Sequence, residues 1–375
     1  MYYKELEETI RYAKEKQSFN NLNRIEQAEN VCVFGLGTYF KEAFVSQNTK
    51  ELYHVNLLCD NNKEKWGQII EGLPCVSPEE LKKYPNLIVI IMMGNPVDVE
   101  KQLKEMKIPY VYHVNLSLDR IMGMKKEADW FEKESPFIKE VYNYFEDDFS
   151  KKVYTGALMN RMATDISTFD WENIYSDETQ YFSQKEIKFH DYESYVDCGA
   201  YTGDTVAEFI NTVHEYNKIF ALELDYNNFL TLESNVATYP NVKCLNYGVW
   251  SEEGDLDYGI GSSDNEPDAG KSVYKTEDAV NNVIQKAKVI TLDKALKDES
   301  ITFIKMDVEG AEIEALKGAK KIIVEQKPKL AISVYHKTSD FWQIPKLLKE
   351  FNPEYHFMLR HYTKNNLLET VLYAK

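Results

Sequence analysis

Two apolar runs in this chain stop at glycines and open into amphipathic segments: NVCVFGLG at 30–37 and YVDCGAYTGDT at 195–205. A buried strand that turns on glycine into a helix is the building unit of a parallel, doubly wound sheet, whose ligands gather at that turn. The rest of the chain keeps the alternation. After a helix-patterned start, strand-like NVCVFGLG, HVNLLCD, NLIVIIMMG and YVYHV alternate with helical YFKEAFVSQ, PEELKKYP and VDVEKQLKEMK. From Tyr195 the alternation resumes with YVDCGAY, IFALEL, VKCLNYGVW, ITFIKMDV, LAISVYH, YHFMLRHY and ETVLYA. The last two of these close as a hairpin. The expected fold is α/β, with two doubly wound Rossmann-like domains over 1–116 and 191–375. Between them, 117–190 reads as a helical connector or cap, because 121–162 has helical spacing.

A chain of 375 residues is long for one core, which agrees with two domains. Its 61 acidic and 44 basic side chains, net −17, leave no basic surplus to displace counterions from nucleic acid or to dock on anionic lipid. No apolar run approaches the roughly 18 residues of a membrane span, and the charged start lacks the apolar core of a signal peptide. The five cysteines stand singly, in neither a disulfide framework nor a zinc spacing, which fits a reducing cytoplasm.

The downstream turn carries the stronger signal. Asp197 stands at a strand's carboxyl end, Gly199 permits the turn, and Gly203 begins the helix whose first amides are free to bind. A pyrophosphate site would want G-x-G-x-x-G and little negative charge, whereas Asp197 and Asp204 bracket this turn. Two carboxylates suit a ligand with an ammonium, a sulfonium and a carboxylate, as S-adenosylmethionine has and NAD has not. The next strand ends in Glu223, placed to accept both ribose hydroxyls. The expected cofactor-binding set is Asp197, Cys198, Gly199, Ala200, Thr202, Gly203, Asp204, Thr205, Glu223, Leu224 and Asp307. Gly248, Val249 and Trp250 join it beside the adenine.

These stretches, with LELDYNNFLTLESN, ITLDKAL, ITFIKMDVEGAEIEALKGA and KPKLAISVYHK, resemble the FkbM-type methyltransferases, which depend on S-adenosylmethionine. The resemblance runs over about 180–375 in the family's order and implies a class I methyltransferase fold for 191–375. Leu224 stands where the family often has proline, and Gly248 where alanine is common.

In KMDVEGAE, Asp307 lies at the carboxyl edge where a methyl would be presented. Glu309 and Glu312 stand near a helix start, where the dipole favours carboxylates. A sugar hydroxyl is hardly ionised at neutral pH, so a base must take its proton, and His336 has the pKa for that. His336 and Asp307 are the expected catalytic pair; Glu309, Tyr335, Arg360 and His361 are the expected acceptor contacts. A less favoured reading makes Asp307 and His336 ligands of a divalent metal that chelates a diol.

The upstream turn has Gly35 and Gly37, but Phe40 fills the third glycine position, which weakens NAD binding; Asp60 stands where a ribose carboxylate would. CDNNKEKWGQIIEGLPCVSPEEL resembles the Rossmann-like N-terminal domains of surface-polysaccharide biosynthesis proteins. That implies either a nucleotide-linked sugar ligand or a structural or homodimerising role. The functional expectation is methylation of a hydroxyl on a sugar, sugar nucleotide or glycan precursor in the cytoplasm, without nucleic acid or membrane insertion. N-methylation of an amino sugar or amino acid, a non-catalytic binding scaffold, and an oxidoreductase built on the first turn are the alternatives.

Overall fold

A computed structural model of the chain describes residues 2–16, 21–45, 48–93, 96–113, 130–162, 173–182, 187–260, 283–364 and 368–375. The helical reading of 121–129 lies outside them. The chain divides into two compact units, one of residues 1–135 and 155–170, the other of 136–154 and 171–375. The segment read as a connector is therefore shared between the units. In the second, Phe182 packs into a core with Tyr195, Phe209 and Phe303, edge-on to Tyr195 at 5.9 Å.

The first unit holds a six-stranded sheet in the order β3-β4-β2-β1-β5-β6. Its strands are β1 (Asn30–Phe34), β2 (Leu57–Cys59), β3 (Ile69–Ile70), β4 (Leu73–Val76), β5 (Leu87–Ile91) and β6 (Tyr110–Tyr112). All pairings are parallel except the β3–β4 hairpin, two short strands that the sequence pattern does not reveal. PEELKKYP forms a 3-10 helix, Pro78–Lys83, closed by a Ser77–Glu80 capping box.

The second unit is built on seven strands: β7 (Glu193–Cys198), β8 (Tyr216–Leu222), β9 (Val242–Leu245), β13 (Phe303–Met306), β14 (Lys329–Ser333), β15 (Phe357–His361) and β16 (Thr370–Ala374). They are ordered β15-β16-β14-β13-β7-β8-β9. Every one of the seven was expected, and the β15–β16 hairpin closes the sheet antiparallel to β14. The strand order reverses between β7 and β13, a topological switch point where open sheets take ligands. Continuous apolar runs explain the parallel strands, since both faces are covered. β7, β13 and β14 are buried almost throughout. A further sheet of β10 (Gly248–Val249), β11 (Gly254–Ile260) and β12 (Val283–Ile290) flanks this one. It escaped the sequence pattern because GDLDYGI has the glycines and aspartates of a loop.

Candidate active site

The site is built where β7 and β13 lie side by side. Gly199 and Gly203 take φ of +80° and +90°, the left-handed region that glycine enters without strain. A Cβ on Gly199 would come within 1.8 Å of the Asp307 carbonyl oxygen, so the two motifs meet backbone against backbone. The amide of Asp307 completes the seam by donating to Cys198 O at 3.0 Å. From Gly203 the chain enters the helix Asp204–Val213, whose start has no side-chain cap. Its first amides are left to an anionic partner.

Behind the turn stands a buried ion pair. Asp197 is wholly buried; its Oδ1 lies 3.0 Å from Lys305 Nζ, and Thr205 donates to its Oδ2 at 2.5 Å. Lys305 also donates to Gly199 O at 2.8 Å and lies over the Tyr181 ring. Burial acts against the Lys305 ammonium, but Asp197 and Asp307 hold its pKa above the usual value. Asp197 thus braces the turn, with its carboxylate committed to Lys305. The side chains of Cys198 and Ala200 are likewise buried, while Thr202 is half-buried and Asp204 exposed. Lys305 was missed in the sequence, although a lysine inside an apolar strand run is itself a signal of a buried partner.

Beyond the turn, Glu223 follows β8. Its Oε2 accepts from the Tyr201 amide at 2.9 Å and its Oε1 from the Asp225 amide at 2.8 Å. Burial, with Asp225 nearby, lifts its pKa to about 7 against the pull of those two amides. The two departures from the family pattern compensate each other. A Cβ on Gly248 would stand 2.5 Å from Leu224 Cδ1, so the leucine occupies the space the glycine leaves. Val249 is buried, and half-buried Trp250 is held by its amide on Ile290 O at 3.1 Å.

On the other side of the seam, β13 and β14 deliver a second cluster. Asp307 accepts from Tyr181 OH at 2.6 Å and Tyr335 OH at 3.2 Å. Burial would raise its pKa, but His336, Lys305 and the two hydroxyls bring it below the usual carboxylate value. Burial and Asp307 push both tyrosines well above theirs, so they remain donors. His336 Nε2 lies 3.2 Å from Glu309 Oε2 and 3.5 Å from Asp307 Oδ1; its Nδ1 lies 2.9 Å from Glu312 Oε1. Although burial opposes it, Glu312, Glu309 and Asp307 hold the imidazole well above its usual pKa. With three carboxylates around the ring, the expectation of His336 as a lone base becomes one of a histidine–carboxylate cluster. Burial raises the pKa of Glu309, which also takes a φ of +54°, a strain characteristic of working loops. Glu312 is fully buried and also accepts from the Val308 and Gly310 amides, so it caps the loop and faces the histidine at once.

Two expected acceptor contacts need correction. Arg360 is buried, donating to Ser150 Oγ and Leu359 O at 2.8 Å each and lying over the Phe149 ring. His361 has no exposed surface; its nitrogens meet Thr370 Oγ1 at 2.8 Å and Thr363 Oγ1 at 3.1 Å. Both hold β15 in place. Tyr181, from the stretch read as connector, takes the site position that sequence reasoning missed. Its surroundings, YSDETQYF, show no period that would have singled it out.

The upstream turn is arranged differently. Asp60 Oδ2 accepts from the Leu36 amide at 2.9 Å and from Lys65 Nζ at 2.7 Å, and Lys65 donates again to Leu36 O at 2.9 Å. Phe40 is buried and stacks on Phe44 at 4.4 Å between ring centroids.

Comparison with known proteins agrees with this division. Residues 197–366 match the family described as methyltransferase FkbM domain, and residues 27–112 match C2185-like, N-terminal. A crystal structure of methyltransferase FkbM from Methylobacillus flagellatus KT superimposes with a TM-score of 0.73 at 21% identity, covering 99% of each chain. Its fold is thus shared over both units. An rRNA methylase from Streptococcus thermophilus matches 49% of this chain and 86% of its own, at 14% identity and a TM-score of 0.32. A Streptococcus mutans protein, SMU.1697c, solved with SAH, matches 49% and 89%, at 14% identity and a TM-score of 0.30. No curated protein matches the chain.

Proposed function

Residues 197–366 match the methyltransferase FkbM domain, and we propose that this S-adenosylmethionine-dependent methyltransferase methylates a hydroxyl of a sugar, sugar nucleotide or related glycan precursor. The observation that carries this reading is the seam between Gly199 and Asp307. It sets the donor turn and the cluster of Asp307, Glu309 and His336 against each other at one sheet edge.

The residues of the turn fit the donor. Glu223 offers carboxylate oxygens for ribose hydroxyls, the uncapped start of Asp204–Val213 offers amides for a carboxylate, and the Leu224–Gly248 contact makes an apolar wall. When bound, S-adenosylmethionine supplies a sulfonium-borne methyl that leaves its electron pair on sulfur. Positioning dominates such an in-line transfer. The acceptor oxygen must also lose a proton as its new bond forms. The cluster of His336 with Asp307 and Glu309 accepts that one proton, and Tyr181 and Tyr335 keep Asp307 in place within it. A small polyhydroxylated acceptor suits this edge of carboxylates and phenols, and the upstream unit's resemblance points to surface-glycan assembly. Five unpaired cysteines, four of them buried, support a cytoplasmic setting. No helix among the described residues is long and apolar enough to cross a membrane.

The test offers methyl-labelled donor with nucleotide-linked sugars, amino sugars and amino acids. The reading expects O-linked label, and His336→Ala should cut kcat about 100-fold with donor affinity intact. Label on nitrogen that survives His336→Ala would replace it with amine methylation, since a neutral amine needs no base.

A further inference from the structure

The cluster beside β13 and β14 has a feature that proton transfer does not require. Neither nitrogen of His336 makes an aligned hydrogen bond, although the ring is buried and carboxylate oxygens lie 2.9–3.5 Å away. Glu312, with no exposed surface, likewise leaves Oε2 without a hydrogen-bond partner. Buried polar atoms are nearly always paired, so three orphans in one cluster need a cause. Groups gathered around a common ion point at the ion and not at one another, and one ion would account for one of the two ring nitrogens together with Oε2 of Glu312.

We infer that Asp307, Glu312 and His336 form a binding site for a divalent cation, with Glu309 at its outer side left to take the acceptor's proton when the ion is bound. One donor atom from each of the three lies within 4.8 Å of the others. Adjacent ligands around an ion with bonds of about 2.1 Å stand roughly 3 Å apart, near the 3.5 Å between His336 Nε2 and Asp307 Oδ1. The surrounding groups already hold the ligands in position. Tyr181 and Tyr335 fix Asp307, and the Val308 and Gly310 amides fix Oε1 of Glu312, leaving its other oxygen to bind. Charge points the same way. Three carboxylates share one imidazole, Lys305 is committed to Asp197, and Lys337 donates to Gly310 O. The carboxylate oxygens suit Mn²⁺ or Mg²⁺, and the single imidazole favours Mn²⁺ of the two. An ion there would meet acceptor hydroxyls in pairs, which makes a vicinal diol the preferred acceptor. This last step rests on the methyl-transfer reading.

Mn²⁺ titration of the full chain, followed by calorimetry and by the loss of the free-ion EPR signal, tests the site without any turnover. One ion per chain is expected, with affinity reduced tenfold or more in both His336→Gln and Glu312→Gln, and unchanged in Asp60→Asn. S-adenosylmethionine binding by the same variants checks that they fold. Donor binding without Mn²⁺ binding at millimolar ion would overturn the cation site while leaving methyl transfer standing. Equal Mn²⁺ affinity in wild type and both variants would overturn it as well, by placing the ion elsewhere.

Discussion

The molecule contains two glycine turns at the ends of buried parallel strands, and they differ in what has become of their polar groups. At the upstream turn, Asp60 and Lys65 close on the Leu36 amide and carbonyl, so the carboxylate that could have met a ribose is spent on its own loop. At the downstream turn the bracing is moved behind the loop, to the Asp197–Lys305 pair, and the buried Glu223 has backbone amides and no lysine as its hydrogen-bond partners. A glycine turn is therefore only a frame. What makes it a binding site is where the charge that stabilises it is placed.

The two braces should respond very differently to loss of their lysine. Lys305→Met leaves Asp197 buried and uncompensated, and should cost about 3–5 kcal/mol in denaturant titration. Lys65→Met removes a partly exposed pair, worth roughly 0–1 kcal/mol. Similar losses at both would erase the distinction. The glycines sharpen it further. Gly199→Ala forces a residue into positive φ and onto the Asp307 carbonyl, and should destabilise by about 3 kcal/mol and abolish donor binding. Gly37→Ala meets nothing within 4 Å, and its melting curve should move by no more than about 0.5 kcal/mol.

A smaller effect comes from Glu223. With its pKa lifted to about 7 by burial, it is largely protonated at pH 6 and ionised at pH 8. Only the ionised form offers both oxygens to ribose hydroxyls, so donor affinity should rise with pH through about 7, by up to about tenfold. Glu223→Gln should flatten that profile; an unchanged slope would assign the titration to another group.

Much of this was legible in the sequence, for a physical reason. The seven strands of the second unit are long apolar runs cut by glycine, and continuous burial leaves no other period to read. Asp307, Glu309, Glu223 and His336 sit at strand ends or in the loops after them, where an open sheet exposes its polar groups. What stayed hidden depends on contacts between distant segments. Lys305 makes sense only once Asp197 is beside it, and Tyr181 only once 173–182 lies on the sheet. Arg360 and His361 looked like acceptor groups because they are polar at a strand end; Ser150, Thr363 and Thr370 had already taken them.

Calorimetry with S-adenosylmethionine on three proteins tests the central claim most directly. The account predicts one donor bound per wild-type chain, affinity at least about tenfold weaker in Glu223→Ala, and no change in Asp60→Ala. Donor binding that ignores Glu223→Ala, or that is lost with Asp60→Ala, would contradict it.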